Sequence, residues 1–174
     1  SRGADFADYK SESKSLYEIW QVLGWPYESS VAMSRLVFAG LFDRHPDIKI
    51  ITHHLGAMIP YFEGRLGPGW DQLGSRTSDE DYSLLLKKLK KRPVDYFRMF
   101  YADTALGGAR DATLLGLKFF GAERVLFATD APFDPEKGSA FIRWGIEVME
   151  SLDITPAERQ AIYEGNARRL LKLK

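Results

Sequence analysis

Three short apolar segments of the sequence each end in residues that can carry a proton or bind a metal ion. These residues are His53 and His54 after the first segment, Asp103 and Thr104 after the second, and Thr129 and Asp130 after the third. Apolar segments of this length are typical of buried strands. Since the carboxyl ends of parallel strands meet at one edge of a sheet, we expect these side chains to face one pocket.

The two adjacent histidines are the strongest candidates for chemistry. Neighbouring strand residues point to opposite faces, so His53 and His54 cannot both bind one ion from a regular strand. His54 is interpreted as a general acid or base, or as an electrostatic stabiliser, because a neutral imidazole both donates and accepts hydrogen bonds. A capping or core hydrogen-bonding role for His54 is equally compatible with its position. His53 is interpreted as structural and packed toward the surrounding helices.

Two aspartates follow the second and third segments. Asp130 is a candidate metal-binding carboxylate, suited to Zn²⁺ or Mn²⁺. Because Thr-Asp-Ala-Pro is also typical of a helix start, the alternative role for Asp130 is that of an N-cap. Asp103 has the same two interpretations, and the structural one is favoured. The third histidine, His45, precedes Pro46 at a predicted helix end and is interpreted as a surface or capping residue.

The composition excludes several classes of function. The chain has 174 residues with 24 Lys plus Arg and 24 Asp plus Glu, so it lacks the net charge that favours nucleic acid or an anionic membrane. It contains no cysteine, which excludes disulfides and thiolate chemistry. No apolar run approaches the ~18 residues of a membrane span, and we expect a cytoplasmic location. Phosphate-loop and serine-hydrolase motifs are absent.

The remaining patterns predict helices between and around three strands. Predicted strands cover 48–53, 98–103 and 124–129. Predicted helices cover 13–23, from Ser29 or Ser30 to 42, 56–66, 78–91, 109–120, 138–152, 156–165 and 167–173. Gly24-Trp25-Pro26 and Gly67-Pro68-Gly69 are expected to end helices, Thr155 to begin a capping box with Glu158, and Asn166 to cap the last helix. Strands alternating with helices predict right-handed βαβ units and a parallel sheet in one domain.

Three motifs in order along nearly the whole chain resemble one family. They are ITHHLGAMIPYFEGR at 51–65, LFATDAPF at 126–133 and GNARRLL at 165–171. Together they resemble the amidohydrolase-related metal-dependent decarboxylases, such as aminocarboxymuconate-semialdehyde decarboxylase and the resorcylate-type and carboxyvanillate-type enzymes. The resemblance implies a TIM barrel with one divalent metal ion, Zn or Mn, at its C-terminal face.

The resemblance also implies roles for four residues. His54 matches the sixth-strand histidine that acts on substrate or metal-bound water, and Asp130 matches the eighth-strand aspartate that binds the metal. Phe133 matches a residue that lines the substrate pocket. Arg65 matches an arginine that reaches a substrate carboxylate in the neighbouring subunit of dimeric members, a task suited to bidentate contacts. A homo-oligomer and a small carboxylic acid substrate are therefore expected.

The chain departs from the family in what it lacks. It has no H-x-H pair and no further histidine to match the fifth-strand ligand. A complete barrel needs about 250 residues, so residues 1–174 are expected to be a single C-terminal portion of a TIM barrel, with about three parallel strands.

Three functional hypotheses follow. The first is the C-terminal part of a metal-dependent decarboxylase or hydrolase for aromatic or unsaturated carboxylic acids. The second is an inactive fragment or half-barrel, without metal, that self-associates or binds a separate N-terminal half. The third is a non-catalytic binding module that has kept the fold.

Overall fold

The core of the fold is one small parallel sheet. The computed structural model describes residues 3–75 and 81–173. Its strands are β1 (Ile51–Thr52), β2 (Tyr101–Asp103) and β3 (Val125–Leu126), hydrogen-bonded in the order β1-β2-β3. The predicted α/β arrangement with three parallel strands is confirmed. The strands are shorter than predicted, because strand pairing extends over only two or three residues of each apolar segment.

Helices surround this sheet within the described part of the chain. They are α1 (Ile19–Val22), α2 (Gly24–Phe38), α3 (Leu41–Arg44), α4 (Glu63–Asp71), α5 (Ser83–Lys88), α6 (Pro93–Phe97), α7 (Arg110–Phe120), α8 (Ser139–Ser151), α9 (Pro156–Gln160) and α10 (Asn166–Leu171). Tight turns cover His54–Gly56 and Ala122–Arg124, and a π-helical turn, Ala161–Gly165, joins α9 to α10. Residues 78–80 of the helix predicted over 78–91 lie outside the described residues. None of the described helices has the length and apolar character needed to cross a bilayer.

The two faces of β1 have different surroundings. Thr52 is buried, and its hydroxyl lies 3.2 Å from the sulfur of Met33 in α2. Since side chains alternate along a strand, Ile51 and His53 leave on the opposite face. Ile51 is 43% exposed and the side chain of His53 is 77% exposed. The prediction that His53 packs toward the helices is therefore wrong, because Thr52 occupies the helix-covered face.

The register between β1 and β2 shows which residues of β2 share each face of the sheet with β1. Ile51 pairs with Tyr101 and Thr52 pairs with Ala102, so Asp103 lies beside His53. We call the side that carries Ile51, His53, Tyr101 and Asp103 the Ile51 face. It presents the two candidate groups His53 and Asp103 at the carboxyl end of the sheet.

An aromatic cluster anchors the helices behind the sheet. Phe97 and Phe100 are fully buried, Trp70 stacks on Phe97 with ring centroids 5.2 Å apart, and Phe42 meets Phe100 edge-on at 4.9 Å. Aromatic side chains contribute large buried areas and specific ring geometries. The cluster joins α3, α4 and α6 and fixes the start of β2.

The second helix begins earlier than predicted. It starts at Gly24, because Pro26 is tolerated in the first turn, where its missing N–H would lack an intrahelical partner in any case. Ser30 is thus an interior residue and not a cap. Its buried hydroxyl donates to the carbonyl of Pro26 at 2.8 Å and accepts from the N–H of Met58 at 3.0 Å. This contact ties α2 to the chain that follows β1.

Two other expected helix boundaries are also wrong. Gly67-Pro68-Gly69 lies inside α4, where Leu66 and Trp70 pack against the core and outweigh the poor local propensity. The capping box of Thr155 and Glu158 is confirmed, but the helix it begins continues through the π-helical turn into α10. Asn166 therefore lies within a continuous helical segment and is not a cap.

A buried tyrosine joins α3 to α6 through an aspartate. The Tyr96 hydroxyl donates to Asp43 at 2.6 Å, and the N–H of Lys90 also donates to Asp43, at 3.1 Å. Partial burial by itself would raise the pKa of Asp43. The hydrogen bonds from Tyr96 and Lys90 outweigh it and hold that pKa below the ordinary value of 3.8.

Asp43 is expected to make the fold acid-sensitive. A carboxylate whose pKa is lowered by folding stabilises the fold above its unfolded pKa, and this contribution is lost as the pH falls through the folded value. Urea denaturation of Asp43→Asn should show a smaller loss of unfolding free energy below pH about 4 than the wild type does. Asp47→Asn, at an exposed site nearby, is the control. Equal acid dependence of the wild type and Asp43→Asn would contradict this role.

Candidate active site

The segments that follow the carboxyl ends of β1 and β3 bring two of the predicted site residues, His54 and Asp130, together. His54 Nε2 lies 3.5 Å from Asp130 Oδ2, and both side chains are partly exposed. They line one cavity of about 530 Å³ at the carboxyl edge of the sheet. An imidazole and a carboxylate at this distance can share a proton or bind one cation between them.

The backbone that carries these two residues has an unusual conformation. His54, Leu55, Ala57 and Asp130 all have φ between 50° and 62°. Non-glycine residues in this region are strained, by roughly 1–2 kcal/mol each, and persist where the surrounding structure holds them. Such residues cluster at functional sites. Because His54 lies beyond the paired part of β1, its direction is set by the turn and not by strand alternation.

Packing behind the turn holds Leu55 in place. Leu55 is buried in the core, and a Cβ on Gly116 of α7 would lie only 2.1 Å from its Cδ2. Gly56 has φ of +80°, and a Cβ there would lie 2.6 Å from the ring of Phe120. Two glycines thus allow α7 to approach the turn closely.

Asp103 contacts both histidines. Its Oδ1 accepts hydrogen bonds from the backbone N–H of His54 at 2.8 Å and of Ala105 at 3.1 Å. Its Oδ2 lies 3.2 Å from Nδ1 of His53. The sequence favoured a structural role for Asp103. It did not predict this contact, because the contact depends on the register that pairs the ends of β1 and β2.

Apolar residues form most of the cavity wall around His54 and Asp130. They are Val22, Pro26, Ala57, Met58, Ala105, Leu106 and Phe141. A cavity of several hundred Å³ with apolar walls and a few polar groups is typical of small-molecule sites. Val22 and Pro26 were missed by sequence reasoning, because nothing in the sequence indicates that the α1–α2 junction reaches the site.

The other two predicted residues lie apart from this cavity. Arg65 is exposed and lines a separate cavity of about 220 Å³. Phe133 is 79% exposed and is not among the residues that line the cavity of His54 and Asp130. Met58 lines both cavities.

The metal-binding capacity of the described residues is incomplete. Zinc sites generally use at least three protein ligands, even when they are catalytic. Among residues 3–75 and 81–173, no group of three or more His, Asp or Glu side chains is arranged to hold an ion. His54 and Asp130 supply two donor groups, so these residues fit part of a metal site and not a complete one.

The parallel strands, the helices around them and the site at the strand ends define a partial TIM-barrel protein. The amidohydrolase family model matches residues 1–173, and the chain belongs to this family. The predicted resemblance is therefore confirmed.

Several curated and solved relatives are named as decarboxylases. The gamma-resorcylate decarboxylase of Rhizobium radiobacter is 35% identical over 149 residues, which are 84% of this chain and 41% of that protein. The structure of 5-carboxyvanillate decarboxylase from Sphingomonas paucimobilis has a TM-score of 0.70 and 26% identity, over 91% of this chain and 44% of that one. A dihydroxybenzoic acid decarboxylase from Polaromonas, solved with bound manganese, has a TM-score of 0.66 and 30% identity, over 89% and 45%. The chain thus spans about 41% of the length of the first curated relatives it matches.

Proposed function

We propose that the chain is the C-terminal portion of a metal-dependent decarboxylase for aromatic carboxylic acids. The observation that carries the proposal is the pair His54 and Asp130, 3.5 Å apart in an apolar cavity at the carboxyl edge of a parallel sheet. The decarboxylases to which the chain is similar, one of them with bound manganese, support the substrate class and the metal.

Asp130 would supply one ligand to a divalent ion, manganese or zinc, whose other protein ligands lie outside the described residues. Such an ion acts as a Lewis acid when bound. Decarboxylation replaces a carboxylate on the ring by a proton. His54 is the candidate group to hold or deliver a proton in the cavity, because its ring lies beside Asp130 and is partly accessible.

The apolar wall of the cavity would bind the aromatic ring of the substrate. Phe141, Leu106 and Met58 provide surface for an aromatic ring, and their burial of that ring excludes water. Arg65 is proposed to bind a carboxylate of substrate held by a neighbouring subunit of a homodimer. Its exposure and its separation from the cavity of His54 support a role outside its own site.

Activity of the full-length protein that contains this chain tests the proposal. With manganese added, we expect release of carbon dioxide from 2,6-dihydroxybenzoate or 5-carboxyvanillate. His54→Ala should lower kcat by about 100-fold or more, because it removes a proton-transfer group. His45→Ala, at an exposed histidine outside the cavity, is the matched control. Metal analysis of Asp130→Asn should show less bound manganese than the wild type. Unchanged turnover in His54→Ala would refute its assigned role.

A half-barrel that associates through its sheet is the second candidate. The Ile51 face favours it, because that face presents an apolar residue and β1 and β3 each have one unpaired edge within the described residues. Light scattering of the purified chain should then show a dimer or larger species. A stable monomer would exclude self-association.

A further inference from the structure

The carboxylate of Asp103 is buried between two histidines and is not used by the proposed chemistry. Only 6% of the residue is exposed. A buried carboxylate is costly unless hydrogen bonds compensate it. The N–H groups of His54 and Ala105 satisfy Oδ1, while Oδ2 faces the ring of His53.

We propose that Asp103 is a positioning residue for both histidines. Through Oδ1 it holds the backbone of His54 in the left-handed conformation that directs this ring toward Asp130. Through Oδ2 it holds the His53 ring with Nδ1 protonated, which leaves Nε2 as a hydrogen-bond acceptor on the Ile51 face. The consequence for catalysis rests on the proposed function, whereas the two contacts do not.

The assignment of the His53 tautomer follows from hydrogen-bond chemistry. An ionised carboxylate can only accept, so the 3.2 Å contact between Oδ2 and Nδ1 requires the hydrogen to be on Nδ1. A neutral imidazole then carries its lone pair on Nε2. Metal-binding and catalytic histidines are commonly oriented by a carboxylate in this way.

The accessible ring of His53 has room to use that lone pair. Its side chain is 77% exposed, and its centroid lies 6.2 Å from that of His54. Asp103 thus contacts the backbone of His54 and the ring of His53, and the two rings present Nε2 to different partners. His54 directs Nε2 to Asp130, and His53 offers Nε2 to a hydrogen-bond donor from solvent or a ligand.

Asp103→Asn separates the two contacts. The amide oxygen can still accept from the two backbone N–H groups, but the amide NH₂ then faces Nδ1 of His53. Because this group donates, it favours the tautomer with Nδ1 unprotonated. A purely structural aspartate would change stability without changing the tautomer.

Nitrogen-15 NMR of histidine-labelled chain at pH 8 measures the tautomers directly. We expect the Nδ1–H form of His53 to predominate in the wild type and the Nε2–H form in Asp103→Asn. His45 is the internal reference, and Asp111→Asn, at an exposed aspartate, is the control variant. A predominant Nε2–H form of His53 in the wild type would overturn the proposal. The wild-type spectrum decides the assignment even if Asp103→Asn does not fold.

Turnover of the full-length protein tests the catalytic consequence. Asp103→Asn should change kcat and KM little, because its amide oxygen still accepts from the backbone N–H of His54. Asp103→Ala should lower kcat roughly 10-fold with little change in KM, because it releases the backbone of His54. If the tautomers are as expected but no decarboxylation is found, only the proposed function fails. If decarboxylation is found but the tautomers do not change, the positioning role fails.

Discussion

Asn166→Ala is expected to lower the free energy of unfolding by about 3 kcal/mol. Asn166 is completely buried, and its Nδ2 donates to the carbonyls of Ala122 and Val125, both at 2.7 Å. Alanine would remove this donor from both carbonyls and would open a cavity. The loss at the Val125 carbonyl is the more costly one, because that hydrogen bond is buried, whereas the Ala122 carbonyl also accepts from the N–H of Val125. Urea denaturation followed by circular dichroism measures the effect.

The exposed amide of Gln160 provides the matched control. Gln160→Ala should change the free energy of unfolding by less than about 0.5 kcal/mol, because its side chain lies at the surface. Asn166→Asp adds a test of the donor role, since an ionised carboxylate would face two carbonyls. Its destabilisation should be greater at pH 8 than at pH 4, where a protonated carboxyl can donate one hydrogen bond. A mild effect of Asn166→Ala would mean that the two carbonyls find other donors.

Gly116→Ala is expected to destabilise the fold by about 2 kcal/mol, although alanine normally stabilises helix interiors. The added methyl would overlap Leu55, whose Cδ2 and Cγ lie 2.1 and 2.2 Å from the Cβ position. Leu55 has little freedom to retreat, because it is buried and follows β1 in a strained conformation. The displacement of Leu55 should also shift the adjacent residue, His54. Urea denaturation gives the stability, and NMR shifts of the His54 ring report the displacement.

Gly64→Ala is the control, because nothing lies within 4 Å of a Cβ at this position in α4. It should be neutral or stabilising by up to about 1 kcal/mol. The double variant Gly116→Ala with Leu55→Ala should lose less than the sum of the two single losses, since the new methyl fills part of the space that Leu55 leaves. Additive losses would show that the overlap with Leu55 does not cause the destabilisation.

Local signals in the sequence were sufficient for the strand positions and one helix start. The three apolar segments ending at His53, Asp103 and Thr129 contain the observed strands, because β-branched and apolar runs bounded by polar residues occur mainly in buried strands. Thr155 and Glu158 form the predicted capping box, since that motif is satisfied within four residues. A short strand or a capping box depends mainly on residues that are close in the sequence, so it can be predicted from them.

Helix ends that depend on distant contacts could not be predicted in this way. Pro68 and its flanking glycines lie inside α4, where Trp70 stacks on Phe97 from a later helix. Asn166 resembles a cap in the sequence, but it binds the turn before β3 and the first residue of β3, more than forty residues earlier. In both cases burial against distant residues determines the local structure, and local helix propensity gives no information about such contacts.

The same distinction applies to the candidate site. His54 and Asp130 were placed at one sheet edge by the rule that parallel strands end together, and the structure puts them 3.5 Å apart. The position of His53 depends on which strand face the helices cover, and that of Asp103 on the register. The catalytic, metal-binding and substrate-binding roles of His54, Asp130, Arg65 and Phe133 stay predictions.

The left-handed residues at the ends of β1 and β3 have a consequence for engineering. A glycine at Ala57 would relieve backbone strain, and selection for heat resistance alone would favour such a change. The same substitution would loosen the wall of the cavity that holds His54 and Asp130. Substitutions that raise thermostability at the positive-φ residues would therefore disturb the geometry of the site. A mutant library designed for thermostability should leave these residues unchanged.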